Sequence, residues 1–212
     1  MQTDIGHLPE AKQRELERIA EIIRGRGGVE MVILFGSYAR GDWREGKDLP
    51  AKRWSGHPSD YDVLVVVAEP EEAADARFRD ALRDAVNAPG FSARVNPIIH
   101  DIADVNANLE EGRYFFLDIK REGRLLYDSE RFELAEPREL SGEEQRRIAQ
   151  ADFDYWFGRA ERFYRHYRLD YEEGDLRGAS FNLNQATESA YKAILLVFTG
   201  YCPHEHMLEW LG

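Results

Sequence analysis

Cysteine is nearly missing from this 212-residue chain: Cys202 stands alone, so no intrachain disulfide can form and no cysteine-built zinc site is available. Such usage fits a reducing, cytoplasmic setting. An excess of positive charge is also lacking, because 28 Lys and Arg face 40 Asp and Glu, for a formal charge of −12. The acidity is spread over both halves, which argues against bulk attraction to a polyanion as the chain's main business, though not against a locally basic groove. Long apolar runs are missing as well. Val63–Ala68 and Ala193–Phe198 are far shorter than the ~20 residues a membrane helix needs, so no membrane association is expected. The opening MQTDIGHLPE has neither the basic start nor the apolar stretch of a signal peptide. What is present is 43% hydrophobic and 32% charged residues, the make-up of a globular protein with a real core.

Periodicity divides the chain in two. Residues 9–26 read as a helix with Leu16, Ile19, Ala20 and Ile23 on one face, stopped by Gly25, Gly27 and Gly28. Val29–Phe35 and Tyr61–Ala68 are β-branched runs that read as buried strands, and Phe91–Ile99 reads as a third, with Pro97 pointing to an edge. Glu71–Val86 carries a helical apolar face, Ile102–Leu109 and Tyr114–Lys120 are short helices, and Gly123–Tyr127 is a closing strand. This order predicts a mixed-sheet α/β domain over residues 1–137. From residue 138 the character changes. Ser141-x-x-Glu144 is a capping-box signature for an aromatic-rich helix to about Tyr167, followed by a helix over Leu176–Phe198 and the start of a third from Pro203. Residues 138–212 are therefore expected to form an all-α helical-bundle segment that stops before its end.

The chemistry concentrates in LFGSYARGDW (Leu34–Trp43) and SDYDVLVVV (Ser59–Val67). Asp60 and Asp62 are two apart at a strand entrance, so both carboxylates face one side and invite a cation between them. Hard, oxygen-seeking Mg²⁺ suits that pair when a substrate brings phosphate oxygens. Gly36 lets backbone approach a phosphate, Ser37 adds a hydroxyl and an N–H, and Arg40 lies one helical turn further on. Either half alone is more often a plain turn or a solvated strand entrance. Both halves bordering apolar strands are far more specific.

Together these residues resemble the nucleotidyltransferase superfamily, in particular the minimal nucleotidyltransferases related to the DNA polymerase β-type fold. The resemblance implies transfer of a nucleoside monophosphate, usually AMP from ATP, onto a hydroxyl, with two Mg²⁺ ions at the site. It makes Asp60 and Asp62 the catalytic metal ligands and Gly36 and Ser37 the phosphate cradle. Two departures stand out. The gap between Ser37 and Asp60 is longer than in the minimal family, and the extra stretch Trp43–Pro58 is rich in Arg, Lys and exposed-looking Trp. It reads as a solvated insertion or as a loop for a nucleotide or nucleic acid. Active members also present a third carboxylate on a later strand, where this chain has Asn96. Asp101, just past the strand, could substitute for that carboxylate, although alternation puts it on the face opposite Asn96, while His100 shares the Asn96 face and could act as base or ligand.

The second half, through Gln185-Ala186-Thr187-Glu188, Leu195–Tyr201 and Pro203 with His206, resembles the HEPN domain, an all-α module often found beside minimal nucleotidyltransferases. Its RNA-cleaving Arg/His motif is not identifiable before Gly212. The primary expectation is thus an Mg²⁺- and ATP-dependent (or other NTP-dependent) nucleotidyltransferase. Its acceptor would be a protein, an RNA or a small molecule, in a toxin–antitoxin-like context. The alternative is a nucleotide-binding regulatory module with weakened catalysis, using the helical segment to bind a partner or RNA. The aromatic helix faces also raise a homodimer through that segment.

Overall fold

The computed structural model describes residues 1–45 and 58–199. Within them the chain forms two compact units, Met1–Arg138 and Glu139–Gly212. The first is built on a four-stranded sheet of order β3-β2-β1-β4, comprising β1 (Val29–Phe35), β2 (Tyr61–Val67), β3 (Val95–Asp101) and β4 (Arg124–Asp128). Central β1 pairs antiparallel with β2 and β4, while β2 and β3 run parallel. Every residue of β1 is buried, as its unbroken VEMVILF run predicts for a strand covered on both faces.

Side-chain alternation splits the core into two layers. Val32, Leu34, Tyr61, Val63 and Val65 pack against Leu16, Ile19 and Ile23 of α1 (Glu10–Arg24) and against Leu82 and Val86. Met31, Ile33, Phe35, Leu64 and Val66 meet Ile102, Val105 and Leu109 of α5 (Ile102–Glu110) and Phe116 and Ile119 of α6 (Tyr114–Glu122). Each fully buried aliphatic side chain is worth about 1.5–3 kcal/mol over an exposed one, so these two layers are the main stabilising term.

The sequence expectation differs from the structure in three places. The helix expected over Glu71–Val86 is two, α3 (Pro70–Ala74) and α4 (Ala76–Asn87). The break falls at Asp75, whose side chain accepts from the Arg77 N–H and starts a new helix. The third strand begins at Val95 rather than Phe91. The Asn87 side chain takes over the backbone of Val95, donating to its carbonyl and accepting from its N–H, each at 3.0 Å, where a strand start would otherwise need a partner. As Pro97 foretells, β3 is an edge. Finally, α7 (Gly142–Glu173) outruns Tyr167 by a turn and a half, because no breaker occurs before Gly174, which caps it with φ +82°. The capping box at Ser141 and Glu144 is present.

In the second unit α7 packs against α8 (Leu176–Thr199). The seam is built from small residues: Ala160, Ala179, Ala186 and Ala193 are buried, with Leu196. Glu188 and Lys192 are also buried there, joined at 2.7 Å, and the Lys192 ammonium lies 5.1 Å from the Trp156 ring. The third helix expected from Pro203 lies outside the described residues, as do Cys202 and residues 46–57 of the insertion. No helix among the described residues is long and apolar enough to cross a membrane.

Candidate functional site

The end of β1 and the start of β2 meet in register, with Phe35 opposite Asp62. After Phe35 the chain turns at Gly36, with φ +73°, directly into α2 (Gly36–Arg40). A side chain at Gly36 is excluded twice over. The positive φ disfavours it, and a Cβ there would stand 2.8 Å from Asp62 Oδ2. The glycine backbone therefore lies against the Asp62 carboxylate, and half-buried Ser37 follows at once. Downstream, the Gly41 and Asp42 N–H groups both donate to the Ser37 carbonyl, at 2.9 and 3.1 Å, which closes the short helix at the left-handed Gly41.

Asp60 and Asp62, both half-buried, flank Tyr61. Tyr61 is fully buried in the α1 layer, its hydroxyl donating to Glu15 Oε2 at 2.8 Å and its N–H to the Arg94 carbonyl at 2.8 Å. Pinning Tyr61 on one face leaves the carboxylates on either side of it to the other. The long insertion does not loosen this. Arg44 N–H donates to Ser59 Oγ at 3.0 Å and Ser59 N–H to the Arg44 carbonyl at 2.8 Å, so the excursion starts and ends at a closed neck just before Asp60.

Asn96 lies opposite Asp62 in the parallel ladder and donates from Nδ2 to Asp62 Oδ1 at 3.0 Å. The position that a third carboxylate would take on the neighbouring strand is thus filled by an amide. A second carboxylate there would repel Asp62 without a cation between them, whereas the amide is satisfied by Asp62 itself.

The remaining predicted residues sit elsewhere. Arg40, at the far end of α2, directs its guanidinium to Asp42 Oδ2 at 3.3 Å and to Glu122 Oε2 at 3.8 Å. His100 shares the Asn96 face but lies four residues along the strand, ~13 Å away at ~3.3 Å per residue. There its Nδ1 meets Asp104 Oδ2 at 2.6 Å and its ring stands edge-on to Phe116. Asp101 caps α5, accepting from the Asp104 N–H at 2.9 Å. Gly36, Asp62 and Asn96 are therefore brought into contact, with Ser37 and Asp60 beside them, while His100, Asp101 and the Arg40 charge are engaged in other pairings. Trp43, expected to be exposed, is half-buried and stacks on Tyr38 at 5.6 Å.

A polar cluster behind Tyr61 escaped the sequence reading. Lys12, only 7% exposed, donates to Ser92 Oγ at 2.6 Å and pairs with Glu45 at 3.2 Å. Glu15 accepts from the Ser92 N–H and hydroxyl as well as from Tyr61. Burial works to raise the Glu15 carboxyl, but the Ser92 and Tyr61 hydrogen bonds and the Lys12 charge together bring it below its ordinary value. Burial also pushes the Tyr61 hydroxyl far up, and that of Tyr38 up against the opposing pull of Lys12. A signal existed: Lys12 occupies the apolar stripe of α1, one turn before Leu16.

Asp60 and Asp62 supply the hard carboxylate oxygens that Mg²⁺ takes, and the substrate's phosphates could complete its shell. Among the described residues no three His, Cys, Asp or Glu converge on one point.

Two family models match parts of the chain. The family model of the nucleotidyltransferase domain matches residues 16–49, which span α1, β1 and the Gly36-Ser37 turn. That of the HEPN domain matches residues 153–211. Among solved structures, a crystal structure of a toxin–antitoxin with AMP-PNP aligns at 19% identity and a TM-score of 0.37, over 54% of this chain and 74% of that one. No curated protein matches the chain.

Proposed function

We propose, for a chain that joins a nucleotidyltransferase domain to a HEPN domain, that its first unit binds ATP or another nucleoside triphosphate with Mg²⁺. The same site would move the nucleoside monophosphate onto a hydroxyl of a protein, RNA or small molecule, the α–β phosphoanhydride bond breaking as the new P–O bond forms and pyrophosphate leaving. The observation that carries this reading is the contact between Gly36 and Asp62, which sets a side-chain-free turn against a carboxylate on the next strand. The Gly36 and Ser37 backbone would face the terminal phosphates, and the Ser37 hydroxyl would add a hydrogen bond. Asp60 and Asp62 would hold the metal, whose charge when bound would offset the charge building on the transferred phosphorus. Between them the two carboxylates also offer an acceptor for the proton of the incoming hydroxyl. An antitoxin-like role, modifying a partner protein, is one setting that suits this chemistry.

Asn96 favours a second reading. An amide cannot accept a proton as a carboxylate does, and its hydrogen bond occupies one oxygen of Asp62. In that reading the unit binds nucleotide and regulates a partner, with transfer slow or lost.

Radiolabelled ATP with Mg²⁺ separates the two. Transfer of label to protein or RNA, abolished in the double variant Asp60→Ala/Asp62→Ala, is expected for the enzyme. Saturable Mg²⁺-dependent binding with no transfer to any acceptor would leave the regulatory reading. Under that outcome Asn96→Asp is expected to raise transfer, by restoring a third carboxylate beside Asp62.

A further inference from the structure

Behind β2, on the sheet face opposite the Asp62 carboxylate, lies a cavity of about 220 Å³ that the triphosphate reading does not use. Polar residues of three elements line it, Lys12 of α1, Tyr38 of α2, and Arg44, Glu45 and Ser59 from the neck of the insertion, with Ser92 and Pro58 beside them. Tyr38 and Tyr61 pack into the α1 layer, whereas Asp62 alternates to the α5–α6 side, so the two sites are separated by the sheet itself.

The unusual member is Lys12. Burying an ammonium is costly unless it is neutralised, and its carboxylate contact in the cavity, Glu45, is a partly exposed residue at the root of the insertion. The Ser92 hydroxyl accepts from Lys12 and is committed as a donor to Glu15. Lys12 also donates to the Tyr38 hydroxyl at 3.5 Å, so it is with Glu45 displaced that a Lys12 N–H joins Arg44 and the hydroxyls of Tyr38 and Ser59 around a space several times the ~30 Å³ share of one water. Donors arriving from several directions, two of them cationic, suit a tetrahedral oxyanion better than a flat carboxylate.

We infer that this cavity is a phosphate-binding site, in which a phosphate dianion, free or at the end of a small phosphomonoester, displaces Glu45 from Lys12 and is held by Lys12 and Arg44. Because Tyr38 follows Ser37 directly and Ser59 precedes Asp60, an occupant bears on the backbone beside both halves of the candidate active site. The site is therefore placed to regulate, not to react.

Titration calorimetry on the full chain, with inorganic phosphate and with glycerol phosphate at constant ionic strength, tests the inference. Saturable binding is expected, about tenfold weaker in Arg44→Ala through loss of one charge-assisted contact, and about tenfold tighter in Glu45→Gln, which removes the competing carboxylate. Lys12→Met is expected to abolish it. The two surface variants keep the test decisive if the buried Lys12 substitution fails to fold. Asp60→Ala/Asp62→Ala is expected to leave phosphate affinity unchanged, which separates this site from the triphosphate site. Tighter binding of glycerol phosphate identifies a phosphomonoester as the occupant, and tighter binding of phosphate the free ion. Absence of saturable binding, or affinity indifferent to Glu45→Gln and Arg44→Ala, overturns the inference.

Discussion

The two units bury side chains of different kinds. In the α/β unit the fully buried set is large: Tyr38, Tyr61, Leu16, Ile19, Ile23, Ile33, Leu34, Leu64 and Leu82 all lie below 2% exposure. The helical unit buries four alanines, Leu196, Ser189 and one ion pair among its described residues, while Tyr155, Tyr171, Leu176, Phe181 and Phe198 stand more than half exposed. Aromatic side chains thus turn inward at Tyr38 and Tyr61 in one unit and outward at Tyr155, Tyr171, Phe181 and Phe198 in the other. A sheet has two faces to cover and recruits helices for both. Two helices alone cover one seam of each other and leave the remaining apolar faces bare. Stability is accordingly expected to rest on apolar burial in the first unit, and in the second to depend on Glu188 and Lys192 staying paired.

The largest effect should come from breaking that pair. Glu188→Ala strands Lys192 in the α7–α8 contact and is expected to cost about 3–5 kcal/mol of the helical unit's stability. The double change Glu188→Leu/Lys192→Met is expected to be near neutral, and chemical denaturation followed by helical circular dichroism reads both. If the single variant unfolds at the wild-type midpoint, the ion pair contributes nothing and the contrast between the units fails.

Next, Leu82→Ala in the first unit should lose about 2–5 kcal/mol, the cost of emptying a fully buried site. Phe181→Ala in the second, at 62% exposure, should change stability by less than about 0.5 kcal/mol. Comparable losses at the two positions would mean that Phe181 is covered in solution. A smaller cost, about 1–3 kcal/mol, is expected for Gly36→Ala from its positive φ and the Asp62 contact. The decisive reading is nucleotide affinity, which should fall in this variant even at temperatures where it stays folded. Unchanged affinity would remove the turn from the site.

The smallest effect concerns acid. Because the Glu15 carboxyl is lowered in the folded chain, its contribution is full above the ordinary value of 4.5 and is lost as pH falls through the lower folded value. Wild type should therefore lead Glu15→Gln in stability at neutral pH, with the lead fading below 4.5. A constant difference across that range would show that Glu15 is not held ionised by Ser92 and Tyr61.

Much of the first unit was legible from its residues. β1 is Val29–Phe35 at both ends, and the Gly36-Ser37 and Asp60-x-Asp62 signals lie where apolar strands stop, because burial and turn chemistry are local properties. Boundaries that depend on a distant partner were less legible. The start of β3 waits on the Asn87 side chain, and the break at Asp75 reflects a local cap that apolar spacing alone passes over. Asn96 was singled out by the family resemblance as the residue at the third position, but its bond to Asp62 needed the strand register. His100 and Asp101 were plausible by face and proximity in sequence. The structure instead gives one to Asp104 and the other to the cap of α5, since a strand's far end is remote from its near end. Lys12 went unread because apolar stripes draw attention away from the cation set within them.

By itself, then, the sequence determined which segments are strands and helices, where the chain changes from mixed sheet to all-helix, and which residue types crowd the strand ends. Those properties follow from side-chain periodicity and from glycine and carboxylate chemistry within a few residues. Tertiary structure alone decided that Gly36 touches Asp62, that Asn96 ties down the same carboxylate, and that Lys12, Glu15, Tyr61 and Ser92 share one cluster. Each of those contacts joins positions 26 to 80 residues apart, and only strand register and the packing of α1 on the sheet bring such positions within hydrogen-bond reach.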